Sequence, residues 1–458
     1  MAAQQNASGG GMLSGLYNWG GSVMQYATEQ LNNFLGWEDL EVVDPEAEKS
    51  EKGAAKAEGH HQAERKQVWG TKQFQQYIGM DVTSLLSVPV WIMEPFTILQ
   101  KAAEIMEYTE LLDKADQCSD PHERFAFLAA YCVSPFGAAE RAWKPFNPIL
   151  GETFELEIGN GVRYLAEQVS HHPPVCAAHA ENAHFMYDLV SAPTTKFLGN
   201  SLEVYPYGRT RITLRKSGEV YTLVPPNAMV HNIVIGRTWV DAFGPMNINC
   251  AATGAKCVLE FTPCGWFSYG RYEFTGYVTD KDGKKHIKLT GKWNEYCDMV
   301  KCDAEGNVPA DATPTRLWTC NEKPKNDYYS FTNFAHKLNS SDGIRVPLPS
   351  DSRRRPDRAA LAAGETSAAG SEKYRLEEMQ RAEKRERDGK GDKWTPRWFD
   401  AIEAPALLPG ELPLDKVPFW QFNGKYLQEA ERPTGATKDA VDGKGFCPWQ
   451  YPTIHEKL

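Results

Sequence analysis

The sequence predicts a mainly β fold with flanking helices (α+β). Its centre is a large antiparallel β-barrel, closed or nearly closed, between two helical regions. Three observations predict it. From residue 153 to about 319, short strand-forming runs follow one another, such as Tyr221-Thr222-Leu223-Val224 and Cys257-Val258-Leu259-Glu260-Phe261. Turn signals recur between them at Gly159-Asn160-Gly161, Pro206-Tyr207-Gly208, Pro225-Pro226-Asn227 and Asp282-Gly283. No helical period intervenes for more than a few residues, which argues against the alternating pattern of a parallel sheet. Pattern alone leaves a hollow barrel and a packed sandwich both open.

Composition bounds the rest. The 458 residues are enough for one large domain plus tails, and 41% hydrophobic residues are enough for a sizeable core. The net charge is -10, so no global basic footprint invites nucleic acid, and any anion site must be local. The ten cysteines contain no Cys-x-x-Cys pair, which argues against a zinc ribbon and fits reduced thiols in the cytosol. No run reaches 18 apolar residues, and the N-terminus lacks the basic and apolar regions of a secretory signal.

Taken in order, residues 1–37 read as a tail with an amphipathic helix over 12–35. Leu16, Trp19, Val23, Tyr26, Leu31 and Phe34 fall on one half, and Glu29 is the sole charge. A wide apolar face opposite an uncharged polar face suits a membrane-surface helix that responds to lipid packing. Docking on its own domain or on a partner would use the same face. Residues 38–67 are a charged linker. A globular pattern runs over 68–430, and 431–458 is tail. Trp69, Phe74, Tyr77 and Ile78 are apolar points on a short segment ending at Gly79. Helices follow over 97–116 and 121–131, the second capped by Ser119-Asp120.

Two motifs carry the candidate chemistry. In Lys144-Pro145-Phe146-Asn147-Pro148-Ile149-Leu150-Gly151-Glu152, prolines on both sides fix a loop. That presents Lys144 and the amides of Phe146 and Asn147 in a set geometry, which suits an anionic headgroup. A rigid turn with a solvated lysine is the ordinary alternative. In Glu167-Gln168-Val169-Ser170-His171-His172-Pro173-Pro174, a strand ends at two prolines that lack backbone donors. Two imidazoles there can bind an anion, bind a metal or move a proton, or can simply be satisfied at a strand end. His171, His172, Cys176, His179 and His184 lie close in sequence, but no zinc-site spacing is present, so no metal and no cofactor is expected. A late helix over about 371–387 places Lys373, Glu377 and Arg381 on one face. That is either a surface ion-pair ladder or two cations fixed by Glu377 to grip a phosphate. Arg353-Arg354-Arg355 reads as a solvated basic cluster. No residue set demands catalysis.

The octapeptide 167–174 resembles the fingerprint of the oxysterol-binding-protein-related family of lipid-transfer proteins, residue for residue. The 144–152 motif, Asp327-Tyr328-Tyr329-Ser330-Phe331, Leu348-Pro349-Ser350-Asp351-Ser352-Arg353 and Glu372-Lys373-Tyr374-Arg375-Leu376-Glu377-Glu378-Met379-Gln380-Arg381 resemble further family segments. The resemblance implies a hollow barrel with an internal lipid tunnel, and an N-terminal lid formed by Trp69, Phe74, Tyr77 and Ile78. It implies that Lys144, His171, His172, Lys373 and Arg381, with the amides of Phe146 and Asn147 and the carboxylate of Glu377, bind the phosphates of phosphatidylinositol 4-phosphate. A sterol or another lipid would share the tunnel. The implied activity is non-vesicular lipid transfer by a cytoplasmic protein peripherally associated with intracellular membranes. An exchange of phosphatidylserine for phosphatidylinositol 4-phosphate, or lipid sensing without net transfer, are the alternatives. Two family features are not apparent: a pleckstrin-homology-like region and an acidic two-phenylalanine motif.

Overall fold

The computed structural model describes residues 78–81, 88–340, 348–403, 406–414, 417–430 and 447–449. The membrane-surface helix expected over 12–35 and three of the lid residues, Trp69, Phe74 and Tyr77, lie outside them. Ile78 is described and exposed. Just after it, the Gly79 amide donates to the Phe197 carbonyl at 2.7 Å, and the Phe197 amide donates to Met80 at 3.1 Å.

The main body is a 15-stranded sheet. Its path of directly bonded neighbours runs from strand Thr315–Thr319 back to strand Thr153–Glu157, antiparallel throughout. Successive strands are mostly neighbours, as the closely spaced turn signals require. Strand Trp239–Cys250 changes partner along its length: 239–243 pair with Asn227–His231, and 247–250 pair with Val220–Val224. The change falls at Gly244, whose φ of +84° a side chain would resist.

So long a twisted sheet must curl. Phe154 near one end of the path and Trp318 near the other belong to a single buried cluster. Between them that cluster gathers Tyr164, Tyr187, Ile212, Ile248, Leu259 and Leu289 from successive strands. The helix Pro121–Val133 adds Phe125, Leu128 and Tyr131. The curled antiparallel barrel expected from the turn spacing is therefore the architecture observed.

The helical layer is more broken than expected. The predicted 97–116 helix is two helices, Ile98–Ala103 and Glu110–Gln117, with a 3-10 turn at Glu104–Met106 between them. Thr97 and Gln100 close a capping box on the first. Asp120 caps the Pro121–Val133 helix through the amides of His122 and Glu123, as the sequence suggested. Residues Trp398, Phe399 and Tyr426 cover the outer face of Leu165, Val169 and Val175. The strand Arg163–Ser170 is thus buried on both faces.

Candidate anion-binding pocket

One strand end, one loop and one helix converge on a cavity of about 600 Å3. The helix is Thr366–Lys390, rich in Ala, Glu, Lys and Arg, all strong helix formers. It stops at Gly391, whose φ is +72°. We call it the pocket helix. Lys373 Nζ bonds Glu377 at 2.7 Å, and Arg381 Nη2 lies 3.7 Å from the same carboxylate, so Glu377 stands between two cations. Arg381 also pairs with Glu378.

Opposite the helix, Lys144-Pro145-Phe146 is a short strand rather than the expected loop, pairing in parallel with Met93–Thr97. The partner lies far back in the chain, so local proline chemistry could not reveal it. Phe146 is fully buried and Asn147 is exposed. Lys144 Nζ donates to Asn147 Oδ1 at 3.1 Å. Arg355 fixes the segment from beneath: Nη1 donates to the Asn147 carbonyl at 2.7 Å and to Glu152 at 3.0 Å. Glu152 in turn accepts the Ile149 amide at 2.9 Å.

The strand Arg163–Ser170 ends just before His171, and pairing resumes at Val175, as the prolines require. Both histidines sit in the turn, which contains a cis bond between His172 and Pro173. Their ring centroids are 4.6 Å apart. Both line the cavity. His171 Nδ1 is buried with no partner among the described residues.

All eight predicted headgroup residues, Lys144, Phe146, Asn147, His171, His172, Lys373, Glu377 and Arg381, line this one cavity. Arg355, Lys384 and Arg387 line it too and were not foreseen. Lys384 and Arg387 continue from Arg381 in steps of three, a periodicity the sequence does contain. Six lasting cations thus face three carboxylates, Glu377, Asp388 and Asp392, in a protein whose net charge is -10. Burial, reinforced by the Lys373 charge, pushes the Lys144 ammonium down to about 8. Burial, then His172 and Arg355, push His171 down to about 4, against a hydrogen bond with the Pro148 carbonyl.

One other reading changes. Arg353 and Arg355 are not solvated: they are buried, and only Arg354 is exposed. Arg353 pairs with Asp351 and donates to the Glu155 carbonyl. Arg355 pairs with Asp357 and Glu152. Asp351 and Asp357 lie only two residues from the arginines they pair with, while Glu152 reaches Arg355 from far back in the chain. Glu167, inside the octapeptide, points away from the cavity. It accepts the amides of Arg397 and Trp398, tying down the C-terminal region, and burial raises it to about 7. His179 pairs with Asp188 and stacks on Phe422, while His184 pairs with Asp116. No group of three or more metal-ligating side chains gathers among the described residues.

Comparison with known proteins follows the same line. A family model described as oxysterol-binding protein matches residues 67–431. Oxysterol-binding protein-related protein 3C of Arabidopsis thaliana is 47% identical, over 97% of this chain and 96% of its own. Its relative 3B from the same plant is 48% identical, over 93% of each chain. Among solved structures, the Osh1 ORD domain in complex with cholesterol is 31% identical with a TM-score of 0.69, covering 81% of this chain and 88% of that one. The Osh3 ORD of Saccharomyces cerevisiae, solved in complex with PI(4)P, is 27% identical with a TM-score of 0.63, over 80% of this chain and 92% of that one. A curled antiparallel barrel, a cationic pocket at its histidine turn and a family match over most of the sequence agree: the chain belongs to the oxysterol-binding protein family.

Proposed function

We propose that this protein carries phosphatidylinositol 4-phosphate and a sterol between membranes, one cargo at a time and without covalent chemistry. The observation that carries the reading is the convergence of Lys144, His171, His172, Lys373 and Arg381 on one cavity. A lipid bearing a ring phosphate needs several cations around its headgroup and an apolar interior for its chains. Glu377 orders the two helix cations, and the Phe146 and Asn147 amides complete the cradle. Each cation of such a charge-assisted set contributes about 1.5–3 kcal/mol. The structures of Osh1 with cholesterol and Osh3 with PI(4)P support both cargoes. The Tyr131 and Tyr164 hydroxyls are buried with no partner among the described residues, which suits a cargo with a polar end.

Membrane docking falls to the 12–35 helix, with Trp69, Phe74, Tyr77 and Ile78 as the lid that excludes water. Deletion of residues 1–40 lowers liposome binding, most on highly curved vesicles; unchanged binding removes that part of the reading.

The deciding experiment measures transfer of phosphatidylinositol 4-phosphate and of a fluorescent sterol between liposomes. Wild type moves both. The His171→Ala/His172→Ala variant loses phosphoinositide transfer and keeps sterol uptake. Wild-type protein that moves the phosphoinositide together with phosphatidylserine names a different second cargo. Wild-type protein that moves no lipid refutes transfer and leaves sensing.

A further inference from the structure

We propose that segment 447–449, which lies beyond the family match ending at residue 431, is a buttress of the anion pocket, with Trp449 as its positioning residue. This deepens the proposed phosphoinositide reading and rests on it. Trp449 is only 5% exposed and packs into one cluster with Ile149, Leu376 and Met379. Ala382 and Cys447 border that cluster, and Pro448 is buried beside it.

The placement of those partners gives the cluster its meaning. Ile149 follows the Lys144–Phe146 strand and Pro148, and Lys144, Pro148 and His171 line the cavity with it. Leu376 precedes Glu377 on the pocket helix, and Met379 precedes Arg381 by two residues. Ile149 and Leu376 both line the cavity, whereas Trp449 does not. The indole therefore closes the seam between the two charged walls from behind.

Among the described residues, few apolar contacts bury that part of the helix. Only Ala369, Leu376 and Met379 are buried along its length, and two of those three meet Trp449. The Leu150 amide reaches Gln380 at 3.3 Å, a long hydrogen bond. The exposed ion pairs along the helix are individually weak. A buried tryptophan removes roughly 150–250 Å2 from water. Its loss lets the row Lys373, Glu377, Arg381 drift from Lys144 and the histidines, while the barrel interior is untouched.

The test uses the full chain with Trp449→Ala and Trp449→Phe. Extraction of phosphatidylinositol 4-phosphate from phosphatidylcholine vesicles weakens about tenfold in Trp449→Ala, the loss expected when one charge-assisted contact goes out of register. Uptake of a fluorescent sterol stays within about twofold. Trp449→Phe restores most of the phosphoinositide binding. In the ligand-free protein, amides 373–384 exchange faster with deuterium in Trp449→Ala than in wild type. Unchanged phosphoinositide binding in Trp449→Ala overturns the proposal. So does an equal fall for both lipids, which would mark a general loss of stability. If wild type takes up no phosphoinositide, the reading of the previous section fails, and exchange alone decides: faster exchange at 373–384 supports the buttress, and unchanged exchange refutes it.

Discussion

Lys144 and Arg355 show how differently two buried cations of one pocket behave. Burial holds Lys144 down to about 8 before any ligand arrives, below the ordinary lysine value of 10.5. Its folded value is depressed, so folding carries the full cost of the charge below about 8, and that cost is relieved as pH rises toward 10.5. Ligand affinity has the opposite trend, because a phosphate requires the charged form. Above the phosphate's own ionisation near 6, affinity is flat to about 8 and then falls by up to about tenfold per pH unit. Headgroup titrations between neutral and alkaline pH check this, and a flat profile to pH 10 would assign the charge elsewhere. Arg355 stays charged: its carboxylate partners Asp357 and Glu152 outweigh burial. Removing it strands those buried carboxylates, so Arg355→Ala should lower stability by about 3–5 kcal/mol in urea unfolding. Its burial was not legible from the run Arg353-Arg354-Arg355, whereas the strand end at His171 and His172 was. A histidine pair before two prolines announces itself locally; Arg355 is held inside by nearby Asp357 together with Glu152 and the Asn147 carbonyl from far back in the chain.

The pocket helix is the element that turns spacing into a site. Lys373, Glu377 and Arg381 were legible because one helical period places them in a row. The same period explains Lys384 and Arg387, which already fall inside the helix expected over about 371–387. The Lys144-Pro145-Phe146 strand was not legible, since its pairing with Met93–Thr97 is a long-range choice made by the fold. Lys373→Ala and Arg381→Ala should each weaken phosphoinositide extraction by about 1.5–3 kcal/mol, roughly 10–100-fold. Both side chains interact with Glu377, so the double variant should lose less than the sum. Additive losses would mean that Glu377 does not couple them. At the other end of the molecule, Asp120→Ala should cost about 1 kcal/mol of stability by uncapping the Pro121–Val133 helix, with no effect on lipid binding.

At the scale of the whole molecule, the barrel was legible because its turns are closely spaced and no helix interrupts them. Which side chains from the two ends of the strand path meet in one buried cluster was not, because that is a property of the assembled, curled sheet. If both cargoes use that one interior, protein preloaded with phosphatidylinositol 4-phosphate should take up a fluorescent sterol poorly, and simultaneous full occupancy would argue for separate sites. The pocket draws its walls from Lys144, the histidine turn, Arg355 and the pocket helix, in that order along the chain. A ribosome releases them in the same order. A nascent chain that has exposed Lys144 and both histidines still lacks every cation of the opposite wall. The two-walled pocket cannot exist in a partly made protein, so under the proposed function lipid loading waits for the pocket helix, and a product truncated before that helix retains the histidines without the opposite wall.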